Sequence, residues 1–217
     1  MNAPHPLKAA SAAPACGSSQ PHESAAAQVA GAATYVDDIA EVRGTLHAAP
    51  ILSPVAHGRL NGVDPAPALA MPGVRGVVLT HDIPGDPILA AFAHDEAIFA
   101  TDTVEHVGRV IGLVVADTVM QARKAARAVA LDIEALPAVL DVREALAAQS
   151  FVLPPVRVQR GDAQAGLARA THRLSGQFEV GGQEHFYLEG QIAYVVPQEQ
   201  NQWLVYSSTQ HPGEAQH

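Results

Sequence analysis

Cysteine is nearly absent: Cys16 is the only one in 217 residues. One thiol cannot build a disulfide framework, a cysteine-based zinc site or an iron–sulfur cluster within this chain. Any iron–sulfur chemistry must come from a partner. Basic charge is scarce as well. Against 22 Asp and Glu there are 13 Lys and Arg, the formal net charge is −9, and the cations form no extended run. Such a chain repels phosphate backbones, which excludes ordinary nucleic-acid binding. Aromatics make up only 5% beside 48% hydrophobic residues, so the core is expected to be aliphatic.

Long apolar runs are missing too. The longest, Val110 to Ala116, is far too short to cross a bilayer. The opening "MNAPHPLKAASAAPACGSSQ" places Cys16 after small residues, as a lipoprotein leader would. Pro4, Pro6, Lys8 and Pro14 interrupt it, so no apolar core of about 7–15 residues precedes the cysteine. A soluble, cytoplasmic protein with no membrane segment is expected.

Several cofactor motifs are also lacking. No G-x-G-x-x-G follows a strand, so a nicotinamide or flavin site has no support within the chain. "GDAQAGLA" has glycines at P-loop spacing, but Leu167 and Ala168 stand where phosphate and magnesium need Lys and Ser or Thr. Eleven histidines include no H-E-x-x-H. "EHFYLE" offers Glu184, His185 and Glu189, yet on a strand Glu184 and His185 would point to opposite faces. Polar residues satisfied within a domain are the better reading than a metal site. Asp37 and Asp38, beside Tyr35, read as turn formers, because adjacent acids rarely converge on one proton.

What is present suggests layered α and β structure. Residues 1–27, rich in Ala, Pro and Ser, read as a disordered tail. Leu46, Ala48 and Pro50 alternate as in a strand after a turn at Gly44, and "GRLNGVD" is a second strand. "DPAPALAMPG" is a short helix with Asp64 as cap and Gly73 as stop. A buried strand is expected over Val74 to Thr80, and Val110 to Ala116 reads as a strand buried on both faces. Asp117 should cap the next helix, with Val119, Ala122, Ala126 and Val129 on one face and Arg123, Lys124 and Arg127 elsewhere. A strand near Val129 to Glu134 follows, then the helical "DVREALAAQ" and a Pro-rich linker containing a short helix. "HRLSGQFEV", "QIAYVVPQ" and "QWLVYSS" read as strands of a second domain. Strand–helix–strand with antiparallel partners points to an α/β or α+β layer.

One stretch is unusually dense in hydrogen-bonding groups: "GGQEHFYLEGQ", Gly181 to Gln191. Gly181 and Gly182 carry no Cβ, so their backbone can approach a bulky ligand closely. Gln183 adds an amide that donates and accepts without ionising, suited to an oxo or carbonyl oxygen. The same residues would also suit a bulged strand whose glutamine satisfies a neighbouring backbone group.

This stretch resembles the signature of the molybdenum-containing hydroxylases, the family of xanthine dehydrogenase. "GAATYVDDI", "SPVAHGRLNGVD", "PGVRGVVLTHDIPG", "DEAIFATDTVEHVGRVIGLVVADT" and "LPAVLDVREAL" occur in the order seen in that family's molybdopterin-binding subunit. The resemblance implies an α+β chain. An α/β hammerhead domain would span 28–138, a linker 139–165, and the beginning of an α+β molybdenum-cofactor domain 166–217. It implies that Gln183 hydrogen-bonds an oxygen ligand of the molybdenum, with Gly181 and Gly182 as neighbouring cofactor-binding residues. It further implies hydroxylation of an electron-poor purine carbon with oxygen from water. Electrons would pass to NAD through iron–sulfur clusters and FAD on a partner subunit, in a hetero-oligomer. The family's "GGGFGGKE" loop, substrate arginine and catalytic glutamate would lie beyond His217. No catalytic residue is therefore expected within the chain, which reads as an N-terminal portion that is inactive alone. A non-catalytic hammerhead assembly module, or the equivalent portion of an aldehyde oxidoreductase, are the alternatives.

Overall fold

The structure, a computed structural model, describes residues 16–19, 21–89 and 94–216. Most of the expected tail lies outside them. The elements run in the order α1 (Ala25–Val29), β1 (His47–Leu52), β2 (Gly58–Asp64), α2 (Ala66–Leu69), β3 (Val74–Val78), β4 (Ile88–Leu89), β5 (Glu96–Ala97) and β6 (Thr103–Val104). They continue with β7 (Val110–Ala116), α3 (Val119–Ala126), β8 (Ala130–Ala135), α4 (Val142–Ala147), α5 (Ala163–Arg169), β9 (Ala193–Pro197), β10 (Trp203–Ser207) and α6 (Pro212–Gln216). Among the described residues no helix is long and apolar enough to cross a membrane. The chain divides into two compact units, Glu41–His185, and Met1–Ala40 together with Phe186–His217.

In the larger unit β7 is the central strand of a sheet ordered β1-β7-β3. Its continuous apolar sequence follows from that place, since Ile111, Val114 and Ala116 are buried. Pro50 sits opposite Leu113 in β1. A residue without an N–H is tolerated there because β1 is an edge strand. A second sheet is ordered β6-β2-β8, and β4 pairs with β5. Every strand pair described is antiparallel. β7 and β8, joined through α3, therefore belong to different sheets.

α3 packs on β1 and β7 through Ala122, Ala125 and Ala126, all buried. Small side chains let helix and sheet backbones come close. The helix cap differs from the expectation. Thr118, not Asp117, is the N-cap, its Oγ1 accepting the Gln121 N–H at 3.2 Å. Asp117 instead receives a bidentate pair from Arg75, at 2.6 and 3.0 Å. The buried face differs also: Val119 is 42% exposed while Ala125 is buried. Ala125, three residues after Ala122, shares its side of the helix, so the buried face extends toward Ala125.

β3 is shorter than expected. It ends at Val78, is half-buried because it lies at a sheet edge, and gives way to a 3-10 turn over Thr80–Asp82. Asp82 accepts the Leu79 N–H there at 2.9 Å. "HRLSGQFEV" is not a strand; residues 172–180 are exposed and unpaired in any sheet. Alternating apolar residues make a strand only when a partner edge completes the ladder.

The smaller unit holds the β9–β10 hairpin. Tyr194 and Tyr206 face each other in register, with ring centroids 5.9 Å apart. The Gln198 N–H donates to Gln202 at 2.8 Å across the connection, where Gln200 and Asn201 adopt φ 57° and 59°. Val36–Asp38 forms a 3-10 turn in which Asp38 accepts the Tyr35 N–H at 3.0 Å. The acid pair is thus built into a turn.

Candidate functional site

The division between the units falls inside the Gly181–Gln191 stretch, after His185. Gly181, Gly182 and Gln183 follow an extended, irregular backbone and are exposed. A Cβ added at Gly181 or Gly182 would meet nothing within 4 Å. Neither glycine is forced by crowding, and both leave an open approach. Gln183 makes no hydrogen bond among the described residues, so both ends of its amide are available.

The later half of the stretch, in the smaller unit, is used structurally. Glu189 Oε1 accepts the Val36 N–H at 2.9 Å. Ser208 Oγ donates to the Gly190 carbonyl at 2.9 Å and accepts the Ile192 N–H at 3.2 Å, pinning the chain as it enters β9. Phe186 adopts φ 50°, a left-handed conformation unusual for an aromatic residue.

Among the described residues two groups have displaced pKa values, and both lie elsewhere. The side-chain hydrogen bond and charge of Asp117 raise Arg75. The Ile88 N–H, then the His94 hydrogen bond, lower Asp86. Both are exposed pairs that stitch loops and strand ends.

Among the described residues no group of three or more His, Cys, Asp or Glu converges to hold a metal. For a molybdenum–pterin group, Gly181–Gln183 offers chemically suitable contacts, a backbone open to approach and an unengaged neutral amide. One open strip is not a cradle, and these residues alone do not enclose such a group. Sequence reasoning also passed over Met71 and Met120, which line a groove with Arg123, Lys124 and Arg127. The signal was there: three cations within five residues of an acidic chain.

Comparison with known proteins agrees with this architecture. Residues 30–137 match the family described as aldehyde oxidase and xanthine dehydrogenase, a/b hammerhead domain. Residues 146–217 match the molybdopterin cofactor-binding domain. The chain is 39% identical to the xanthine dehydrogenase/oxidase of Gallus gallus, over 87% of its own length and 14% of the relative's. It is 42% identical to xanthine dehydrogenase 1 of Arabidopsis thaliana, over 90% of its length and 15% of the relative's. The chain thus spans about one seventh of the relatives it matches. Among solved structures, the aldehyde oxidoreductase of Desulfovibrio gigas superposes with a TM-score of 0.75 at 29% identity, over 87% of this chain and 23% of that one. Quinoline 2-oxidoreductase of Pseudomonas putida 86 superposes with a TM-score of 0.70 at 26% identity, over 89% of this chain and 27% of that one. With both matched segments in order, and with glycines and a free amide at Gly181–Gln183 inside the second, the chain belongs to the aldehyde oxidase and xanthine dehydrogenase family and carries its hammerhead domain followed by part of its molybdopterin cofactor-binding domain.

Proposed function

We propose that this chain is a portion of the molybdopterin-binding subunit of a xanthine dehydrogenase, and that Gln183 contributes to the cofactor site of the complete enzyme. The reaction would be hydroxylation of hypoxanthine and xanthine to urate with oxygen from water. A partner subunit carrying iron–sulfur clusters and FAD would take the electrons to NAD. What carries this reading is the Gly181–Gln191 stretch, within the segment matched by the molybdopterin domain, in a chain whose curated relatives are xanthine dehydrogenases.

The molybdenum–pterin group would supply the redox chemistry. The part of this chain's own residues is more limited. Gly181 and Gly182 would let the backbone pass close to the group. Gln183 would hydrogen-bond an oxygen ligand without adding charge, and would keep that hydrogen bond at any pH near neutrality. The base and the purine-orienting groups are assigned to polypeptide outside these residues.

The superposition on an aldehyde oxidoreductase favours a second reading, in which the substrate is an aldehyde. One experiment separates the readings: purify the native enzyme containing this sequence, measure bound molybdenum, and assay dye reduction with xanthine and with benzaldehyde. Turnover with xanthine supports the proposal. Turnover with benzaldehyde alone replaces it by the second reading. Absence of molybdenum and of both activities would leave a non-catalytic hammerhead assembly module.

A further inference from the structure

The face of α3 turned away from the sheet carries a second feature, within the hammerhead unit. Arg123, Lys124 and Arg127 are exposed there and, with Met71, Met120 and Gln121, line a groove of about 590 Å³. Among the described residues, ion pairs engage Arg59, Arg75, Arg109 and Arg143, and hydrogen bonds also engage Arg157 and Arg173. None engages Arg123, Lys124 or Arg127, nor the scattered Arg43, Arg160 and Arg169, but only the first three lie side by side on one helix and its C-cap. A chain with net charge −9 and 22 carboxylates therefore keeps three adjacent cations uncompensated.

Part of the lining is apolar. Met71 and Met120 are the chain's only methionines besides Met1. Met120 is 73% exposed. Methionine's unbranched, polarisable side chain moulds itself to varied partners, which makes it common on peptide-binding surfaces. One end of the groove is fixed in place. Thr118 Oγ1 donates to Gln121 Oε1 at 2.9 Å, and the Gln121 amide fills the space beside Gly73, where a Cβ would stand 2.2 Å from its Nε2.

A groove lined by both cations and methionines selects among occupants. A small anion would use the cations and leave the methionines uncovered, and the chain's overall negative charge repels nucleic acid. A peptide segment with an apolar anchor flanked by carboxylates uses both. We propose that the Met71–Met120 groove docks an acidic, apolar-anchored segment of a partner protein, its anchor between the methionines and its carboxylates on Arg123, Lys124 and Arg127.

The test uses the full 217-residue chain and a fluorescein-labelled peptide in which four Glu flank a Leu-Leu pair. Control peptides carry Lys for Glu or Ser for Leu, and heparin serves as a polyanion lacking an anchor. The Glu/Leu peptide is expected to bind, and binding should weaken as salt rises. The double variant Arg123→Glu, Arg127→Glu should weaken it roughly tenfold or more, with unchanged circular dichroism. Met120→Ala should weaken it about threefold or more, since it removes the anchor's contact while leaving the charges. Arg169→Glu, on α5, should change nothing. Failure of the Glu/Leu peptide to bind overturns the proposal, as does heparin or the Ser peptide binding equally well, or indifference to the double variant.

Discussion

The carboxylate of Glu189 accepts the backbone N–H of Val36 at 2.9 Å, across 153 positions of sequence. The bond ties the turn over Val36–Asp38 to the chain just ahead of β9, within one compact unit. A glutamate in the middle of the signature thus has an architectural task. Glu189→Ala should free the Val36 amide and cost about 1.5 kcal/mol, as a partly buried, charge-assisted hydrogen bond does. Glu189→Gln retains an acceptor and should cost less. Hydrogen exchange at Val36 reads this directly, and equal protection in the Ala variant would refute it.

A glycine in the central strand makes a sharper demand. A Cβ at Gly112 would stand 2.6 Å from the Val78 carbonyl oxygen and 2.6 Å from Leu79 Cδ2. Backbone cannot retreat as a side chain can, so Gly112→Ala should destabilise the chain by roughly 1–3 kcal/mol. Gly76→Ala, where a Cβ meets nothing within 4 Å, should be neutral or stabilising by up to about 1 kcal/mol. Urea denaturation of the two variants should separate them. Equal midpoints would contradict the packing described for β7 and β3.

The start of α3 gives a third comparison. Thr118→Ala removes the cap on the Gln121 N–H and should cost about 1 kcal/mol. Asp117→Ala removes only an exposed pair with Arg75, so its effect should be smaller and should fade at high salt. Thermal melts at low and high salt check the order. A larger, salt-independent loss for Asp117→Ala would restore it as the cap.

These cases mark where the sequence was legible. β7 was readable because an uninterrupted apolar run suits few places other than a central strand. The hairpin strands were readable as short runs rich in Val, Tyr and Trp. The cap of α3 was not, because Asp117 and Thr118 are both capping types and Arg75, 42 residues away, takes one of them. The strand expected in "HRLSGQFEV" failed for the same reason: a partner edge elsewhere decides it. At the candidate site, Gly181–Gln183 could be read as residue types suited to a bulky ligand, but their openness and the use of Glu189 by Val36 depend on long-range folding.

Asp86 offers a pH test. The Ile88 N–H and then His94 hold its carboxyl below the ordinary aspartate value of 3.8. A depressed folded-state pKa contributes stability that is present above the ordinary value and lost as pH falls through the lowered one. NMR titration of the Asp86 carboxyl should show a midpoint below that of an unstructured peptide. His94→Ala should move it only part of the way back, since the Ile88 bond remains. A midpoint at the peptide value would show that neither bond persists in solution.

The central claim is that Gln183 serves a molybdenum hydroxylase site. The most direct measurement is turnover and metal content of the complete enzyme carrying Gln183→Ala, assayed as xanthine-dependent dye reduction. The exposed, unengaged amide has no structural task to lose, so folding and molybdenum content should be retained while kcat falls roughly 10- to 100-fold, as when groups that orient metal ligands are removed. Gln183→Glu should also fail to restore full activity, because it brings a charge where a neutral donor and acceptor is required. Unchanged kcat at full molybdenum content would contradict the account and remove Gln183 from the site.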